Sequence, residues 1–226
     1  YEKKMLDNEG ICIKKYTPIG SLRYGIYKKY FSSKIKQKYD ICFISSYTLN
    51  PNTITLKELD SNNSRLFKCL VEVCKKFNFT LCVAMRGDQK SENYTNEEDY
   101  YNSLDEDGVS TLISNNRANF TSYDIVSSSN ISIASISTLG FEALGFGSKV
   151  LFGASVDNFR LAKSWDSFGN FEKLHECVLL NEISLDSIHL KLKLLFDMDL
   201  EDYKKNTKNS RMYYMNNVTN VCIFFI

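Results

Sequence analysis

Histidine is scarce in this chain. There are two among 226 residues, at positions 175 and 189, and that scarcity removes a common ligand of structural zinc sites. The seven cysteines, at 12, 42, 69, 74, 82, 177 and 222, do not restore it. Most lie in apolar runs and read as small core residues, and Cys69 and Cys74 lack the spacing of a metal-ligand pair. An odd number of cysteines without a disulfide framework favours a reducing compartment. A positive excess is also missing: 28 basic side chains face 27 acidic ones, for a formal net charge of +1. That balance argues against a general nucleic-acid binder. No run reaches the roughly 18 apolar residues of a transmembrane helix. No signal peptide opens the chain, which starts at Tyr1 without a methionine, as an excised fragment does. Neither GxxxxGK[ST] nor GxGxxG occurs, so a P-loop and an ordinary dinucleotide fingerprint are both unsupported. The spacing Asp-x-Asp occurs as Asp197-Met198-Asp199 at a predicted helix end, with no converging partner, and reads as a chance match.

What is present is an alternation of apolar runs and helical periodicity. Tyr39 to Tyr47 reads as a strand, continuously apolar from Ile41 to Ile44. A polar loop, Thr48 to Thr55 with Pro51, follows it. Phe67, Leu70, Val71 and Cys74 repeat at three and four residues, which predicts a helix over Asn63 to Phe77. Phe79 to Met85 reads as the next strand, with Arg86 and Gly87 at its C-terminal end. Residues 88 to 107 are acidic and rich in tyrosine. They read as a mobile surface region with a short helix from Glu97 to Leu104, placed at the rim of a site because its charge repels phosphate. Short strands are expected at Val109 to Ile113, Ile131 to Ala134, Val150 to Phe152 and Cys177 to Leu180. A short helix is expected after Thr121 or Ser122, another over Leu185 to Phe196, and a basic terminal helix from Asp199 to Tyr214. Tyr16 to Gly25 reads as a loop carrying Ser21 and Arg23, and Val221 to Ile226 as an apolar tail. Strands alternating with helices predict an α/β fold, an open and mostly parallel Rossmann-like sheet with flanking helices. Such sheets bind ligands beyond the carboxyl ends of their strands.

The stretch SISTLGFEALGFGSKVLFG, Ser135 to Gly153, is the most informative. It reads as strand, capped helix, strand. Ser137 or Thr138 caps the helix, Leu139, Ala143 and Leu144 face inward, and Gly145 and Gly147 end it. A helix N-terminus carries free N–H groups and partial positive charge, so it suits a phosphate as well as an ordinary cap.

Ser137, Thr138, Glu142, Ala143, Gly147, Lys149 and Val150 resemble the donor-side motif of bacterial GT-B glycosyltransferases that assemble surface polysaccharides. Pro18 to Arg23 resembles a loop near the junction of the two domains in part of that group. The resemblance covers about residues 10 to 200, and it implies one half of a two-domain enzyme. Residues 1–36 would be the end of a preceding domain and a linker, 37–200 the nucleotide-sugar-binding domain, and 201–226 a terminal helix and tail. It implies that Ser137, Thr138 and Leu139 bind the donor's phosphates at the helix N-terminus. Glu142 would hold the ribose, Arg86 would act catalytically on the charge of the leaving phosphate, and Gly20 and Ser21 would close around the donor. Bland alternatives stand beside these: a cap for Ser137, a solvent-facing Glu142, a surface ion pair for Arg86, a turn for Gly20. The implied partners are a nucleotide-sugar donor, a glycan acceptor and a missing N-terminal acceptor domain. No cofactor is implied, and no metal requirement. The expected location is cytoplasmic, with peripheral association at the inner face of the membrane. Alternatives to a transferase are a noncatalytic nucleotide- or partner-binding module and a nucleotide-sugar epimerase. The donor base is open among cytidine, uridine and guanosine. Neither His175 nor His189 sits in a catalytic sequence context.

Overall fold

The apolar stretches Ile41–Ile44, Leu81–Met85 and Val150–Phe152 have no polar interruption and must be covered on both faces, and a parallel sheet between helix layers is how a chain of this composition covers them. The computed structural model describes residues 21–30, 36–48, 54–153 and 173–215, together with Gly10. It contains a five-stranded parallel sheet of β1 (Tyr39–Ile44), β2 (Leu81–Ala84), β3 (Ser110–Ile113), β4 (Ser129–Ala134) and β5 (Lys149–Phe152), in the order β3-β2-β1-β4-β5. This is the doubly wound, Rossmann-like arrangement. The register places Ile41, Cys42 and Phe43 between Leu81, Cys82 and Val83 on one side and Ile131, Ser132 and Ile133 on the other. Ile41, Phe43, Val83, Ile131, Ile133 and Leu151 are fully enclosed.

The helices are α1 (Leu22–Tyr30), α2 (Ile54–Phe77), α3 (Glu92–Leu104), α4 (Thr121–Ser127), α5 (Thr138–Gly145), α6 (Leu185–Asp197), α7 (Leu200–Asn206) and α8 (Lys208–Tyr214). Leu66, Phe67, Leu70 and Cys74 form the buried stripe of α2, and α2 packs beside α6. β4 and β5 lie against α5, which also meets α4 and α8.

Several expectations need correction. Residues 22–30 form a helix, not a continuation of the loop from Tyr16: Ser21 Oγ accepts the Tyr24 N–H at 3.1 Å and so caps α1. Helix α2 begins at Ile54, inside the expected polar loop. Residues 92–104 are one packed helix, with Glu97 and Tyr101 buried, not a loose surface segment with a short helix. The expected strand at Cys177 to Leu180 is a 3-10 turn, Glu176–Val178, followed by a single bridge from Leu179 to Phe152. The terminal helix is two helices joined at Thr207. Asp199 accepts the Asp202 N–H at 2.8 Å, so this acidic residue caps α7. The expectations for Gly20 and for the apolar tail fall outside the described residues.

The edge strand β5 is closed from the C-terminal side. The Val150 N–H donates to the Tyr203 hydroxyl at 3.0 Å, and the Leu180 N–H to the Phe152 carbonyl at 2.9 Å. Lys149 Nζ donates to the carbonyls of Leu195 (2.6 Å) and Met198, at the end of α6. A cation at a helix C-terminus is favourable, although burial lowers the Lys149 pKa.

Two tests follow from this packing. A Cβ on Gly153 would lie 2.3 Å from Leu66 Cδ2, and Leu66 is fully buried. Gly153→Ala is therefore expected to destabilise the chain by about 1–3 kcal/mol through overpacking, read as a lowered thermal midpoint; an unchanged midpoint contradicts the packing. Burial raises the Tyr203 phenol pKa above its ordinary value. A group raised on folding favours the native state below its unfolded pKa, about 10 for tyrosine, and that contribution is lost as pH rises beyond it. Stability is thus expected to fall above pH ~10, and Tyr203→Phe to flatten the fall; parallel pH profiles for both chains contradict it.

Candidate functional site

The sheet order reverses between β1 and β4, and the loops that leave these strands turn to opposite faces. Such a reversal opens a crevice at the carboxyl edge. A cavity of about 720 Å³ lies there, within the ~300–1,000 Å³ usual for small-molecule sites. Its floor comes from the ends of β1, β2 and β4: Ser45 and Ser46, Met85 and Arg86, Ser135 to Ser137. One wall is Leu59 and Asp60 of α2. The other comes from Arg117, from Phe120, Ser122 and Tyr123 at α4, from Thr138, Leu139 and Glu142 of α5, and from Arg23 of α1.

Of the residues singled out in the sequence, Arg86, Ser137, Thr138, Leu139 and Glu142 all line this one cavity. Ser21 adjoins it through Glu142. Ser137 has the extended backbone of an N-cap, but its side chain makes no capping hydrogen bond. The ordinary-cap alternative is therefore not what the hydroxyl does. Ser137, Thr138 and Leu139 at the start of α5 line the cavity, and a helix start carries free N–H groups and partial positive charge.

Arg86 is exposed, and its Nη1 donates to the Tyr47 carbonyl at 2.6 Å. No ion pair of Arg86 occurs among the described residues. A guanidinium carries five N–H donors in a planar fork, and this bond uses one. Arg23 donates from Nη2 to the Arg117 carbonyl at 3.1 Å, and its guanidinium carbon lies 5.4 Å from the centre of the Phe120 ring. Phe120 itself has φ 54°, a left-handed conformation rare for a residue with a side chain. Three arginines, 23, 86 and 117, thus face two carboxylates, Asp60 and Glu142, around the cavity. Burial raises the Asp60 pKa.

Glu142 is 8% exposed, which overturns the solvent-facing alternative. Its Oε1 accepts the Ser21 hydroxyl at 2.5 Å and its Oε2 the Tyr123 hydroxyl at 2.9 Å. The carboxylate joins α1, α4 and α5. Burial and the neighbouring Glu142 push the Tyr123 phenol pKa up.

Sequence reasoning missed Asn63, Glu97 and Tyr101, which lie beneath the cavity. Glu97 is 1% exposed and accepts the N–H groups of Arg86 (2.9 Å) and Gly87 (2.8 Å) and the Ser45 hydroxyl (2.5 Å). The signal available was spacing: Tyr94, Glu97, Tyr101 and Leu104 form one helical stripe, with the acid inside it. The two histidines lie elsewhere. His189 stacks on Phe77 with ring centres 3.7 Å apart, and His175 accepts the Cys177 N–H at 3.2 Å. No group of three or more His, Cys, Asp or Glu suited to a metal ion occurs among the described residues, and no helix there is long and apolar enough to cross a membrane.

Residues 11–221 match a family described as "putative O-antigen biosynthesis protein". The chain belongs to that family. That description ties the family to polysaccharide biosynthesis, and the crevice described above is where this member has its cavity. No match is found among curated proteins. Among solved structures, one titled as a "putative UDP-N-acetylglucosamine 2-epimerase from Listeria monocytogenes" aligns with a TM-score of 0.44 and 12% identity, over 87% of this chain and 44% of that one. The chain spans less than half the length of that structure.

Glu142→Gln tests the bridge. An amide supplies one acceptor oxygen and presents a donor in place of the other, so either Ser21 or Tyr123 must give up donating to residue 142 and turn its own proton elsewhere. The expected cost is about 1–3 kcal/mol, with faster amide exchange across α1 than in β1 or β4. Unchanged exchange in α1 contradicts the bridging role.

Proposed function

We propose that this chain binds the nucleotide-diphosphate part of a sugar donor in the β1/β4 crevice, and that it serves transfer of the sugar to a growing surface glycan. The observation that carries the reading is the convergence of Arg86 with the uncapped N-terminus of α5 at Ser137 and Thr138 on one cavity. A fork of charge-assisted donors and a helix start both suit phosphate oxygens, and membership of the O-antigen biosynthesis family supports a sugar substrate.

In glycosyl transfer an acceptor hydroxyl gives its proton to a base as its oxygen forms a bond to the anomeric carbon, while that carbon's bond to the diphosphate breaks. The electron pair of the broken bond leaves with the diphosphate. Arg86 and the N–H groups from Ser137 to Leu139 would meet that growing charge with donors already in place, which is the effective form of electrostatic catalysis. Glu142 retains free lone pairs beside its two protein partners, and the ribose hydroxyls would reach them from the cavity. Ser21, as Glu142's partner, would shape the ribose end.

Calorimetry with uridine, cytidine and guanosine diphosphates, their nucleosides and inorganic pyrophosphate tests the reading. One of the diphosphates is expected to bind, and Arg86→Ala to weaken it about ten- to hundredfold while leaving the matching nucleoside nearly unaffected. Equal binding of the diphosphate by both chains removes the assignment of Arg86. Product analysis with a nucleotide-sugar then separates chemistries. Acceptor-dependent release of nucleoside diphosphate supports transfer, whereas an altered nucleotide-sugar formed without acceptor replaces transfer with epimerisation.

A further inference from the structure

Beneath the cavity a chain of buried polar groups runs from the end of β2 to the end of β4. The N–H groups of Arg86 and Gly87 donate to Glu97, and so does Ser45 Oγ. The Tyr101 hydroxyl donates to Ser45 Oγ at 2.9 Å, and Asn63 Nδ2 lies 3.5 Å from that hydroxyl. On its other side Asn63 Oδ1 is 3.3 Å from Ser135 Oγ, which is 2.9 Å from Ser46 Oγ. Ser46 in turn donates to the Ile136 carbonyl at 3.3 Å, one residue before Ser137. Asn63, Glu97 and Ser135 are 2%, 1% and 2% exposed, and Tyr101 is fully enclosed.

Two consecutive backbone N–H groups at a strand end form a concave donor pair that suits an anion. Here the protein's own carboxylate fills it. The β2 loop therefore has no backbone donors at Arg86 and Gly87 left for a ligand, and its contribution to an anion comes through the Arg86 side chain. The same carboxylate fixes where that side chain starts. A Cβ on Gly87 would lie 3.1 Å from Glu97 Oε2 and 3.0 Å from Tyr94 Cα, so the loop lies close against α3.

We infer that Glu97 is a positioning residue for Arg86, and that the Glu97–Ser45–Tyr101–Asn63–Ser135 chain sets the separation between Arg86 and the Ser137–Thr138 turn. This rests on the anion-binding reading of the cavity. Groups in one hydrogen-bonded network couple, and double-mutant cycles measure the coupling.

The test uses inorganic pyrophosphate as probe, with the nucleoside of the best-binding diphosphate as control. Glu97→Gln preserves shape but places an amide donor against an N–H or hydroxyl donor. It is expected to weaken pyrophosphate about tenfold in the native background and less than about twofold in the Arg86→Ala background, with nucleoside affinity unchanged in both. Equal losses in the two backgrounds, or a matching loss of nucleoside, overturn the positioning role and leave Glu97 a purely structural residue. An Arg86→Ala chain that binds pyrophosphate as the native chain does overturns the anion reading itself, and this inference with it. Should Glu97→Gln fail to fold, Tyr101→Phe carries the same test. It removes one hydroxyl of the chain and keeps the ring that packs on Phe43 and Phe67. The expected loss is about threefold, again confined to the background that retains Arg86, and an equal loss without Arg86 counts against the inference.

Discussion

The pairing of β1 with β4 is the constraint on which the rest depends. β1 is the first strand among the described residues; β2 and β3 grow from one side of it, and then the chain crosses back to place β4 on the other. Right-handed crossovers in both directions put α2 and α3 on one face and α4 and α5 on the other. The loops after β1 and β4 consequently part above the join. The crevice is thus a product of connectivity, and it needs no insertion to form it. Its depth is maintained by Ile41, Phe43, Ile131 and Ile133, which are fully buried in the two central strands.

Burying polar groups beneath such a crevice is costly unless each finds a partner. The structure meets that demand with side chains from the helix layer of α2 and α3. Asn63 comes from α2, Glu97 and Tyr101 come from α3, and serines supply the strand ends. Serine suits the task because one hydroxyl both donates and accepts. Ser45 does so, accepting from Tyr101 and donating to Glu97. Two carboxylates are buried near the site by the same means. Glu97 is held from below the floor and Glu142 from the wall, each by neutral donors. Neither consumes an arginine, so the guanidinium groups at the cavity are not neutralised by these two acids.

The central strands were legible because continuous apolar residues permit few alternatives. The α5 segment was legible through its cap-like Ser-Thr, its inward apolar positions and its closing glycines. Helix α1 was hidden by Gly25 within it and by weak amphipathic patterning: Tyr24 and Tyr27 are its buried residues, and their spacing alone did not outweigh Pro18 and Gly20 before it. The first turns of α2 were hidden by Pro51 and a run of polar residues. One of that run, Asn63, proved to be buried because its side chain has work within the polar chain. Glu97 lay within an acidic stretch that reads as solvated surface. Only the tertiary position of Arg86 and Gly87, eleven and ten residues earlier, supplies the donors that let its charge be buried. Residues whose burial depends on a partner's backbone carry little local signature. The cavity's outline was therefore more legible than its foundations.

The wall opposite α2 depends on residues that precede the sheet. A βαβ repeat alone supplies α4 and α5 to that wall, and α1 is added from before β1. Its docking is aromatic. Tyr24 stacks on Phe146 at 3.9 Å and meets Tyr123 edge-on at 5.3 Å, and Tyr27 stacks on Tyr123 at 5.4 Å. Pairs of this kind contribute about 0.5–1.5 kcal/mol each beyond the area they bury. The aromatic contacts fix the helix along α4, but rings of this size tolerate some sliding. The Ser21–Glu142 hydrogen bond removes that freedom at the end nearest the cavity. Arg23, two residues on, then reaches the Arg117 carbonyl and the Phe120 ring from a defined origin. The left-handed backbone of Phe120 has its physical reason here: it turns the chain into α4 while its ring packs against Tyr27, Tyr123 and Arg23. One side of the cavity is thus built by a short helix, a strained residue and a buried carboxylate that hold one another in place.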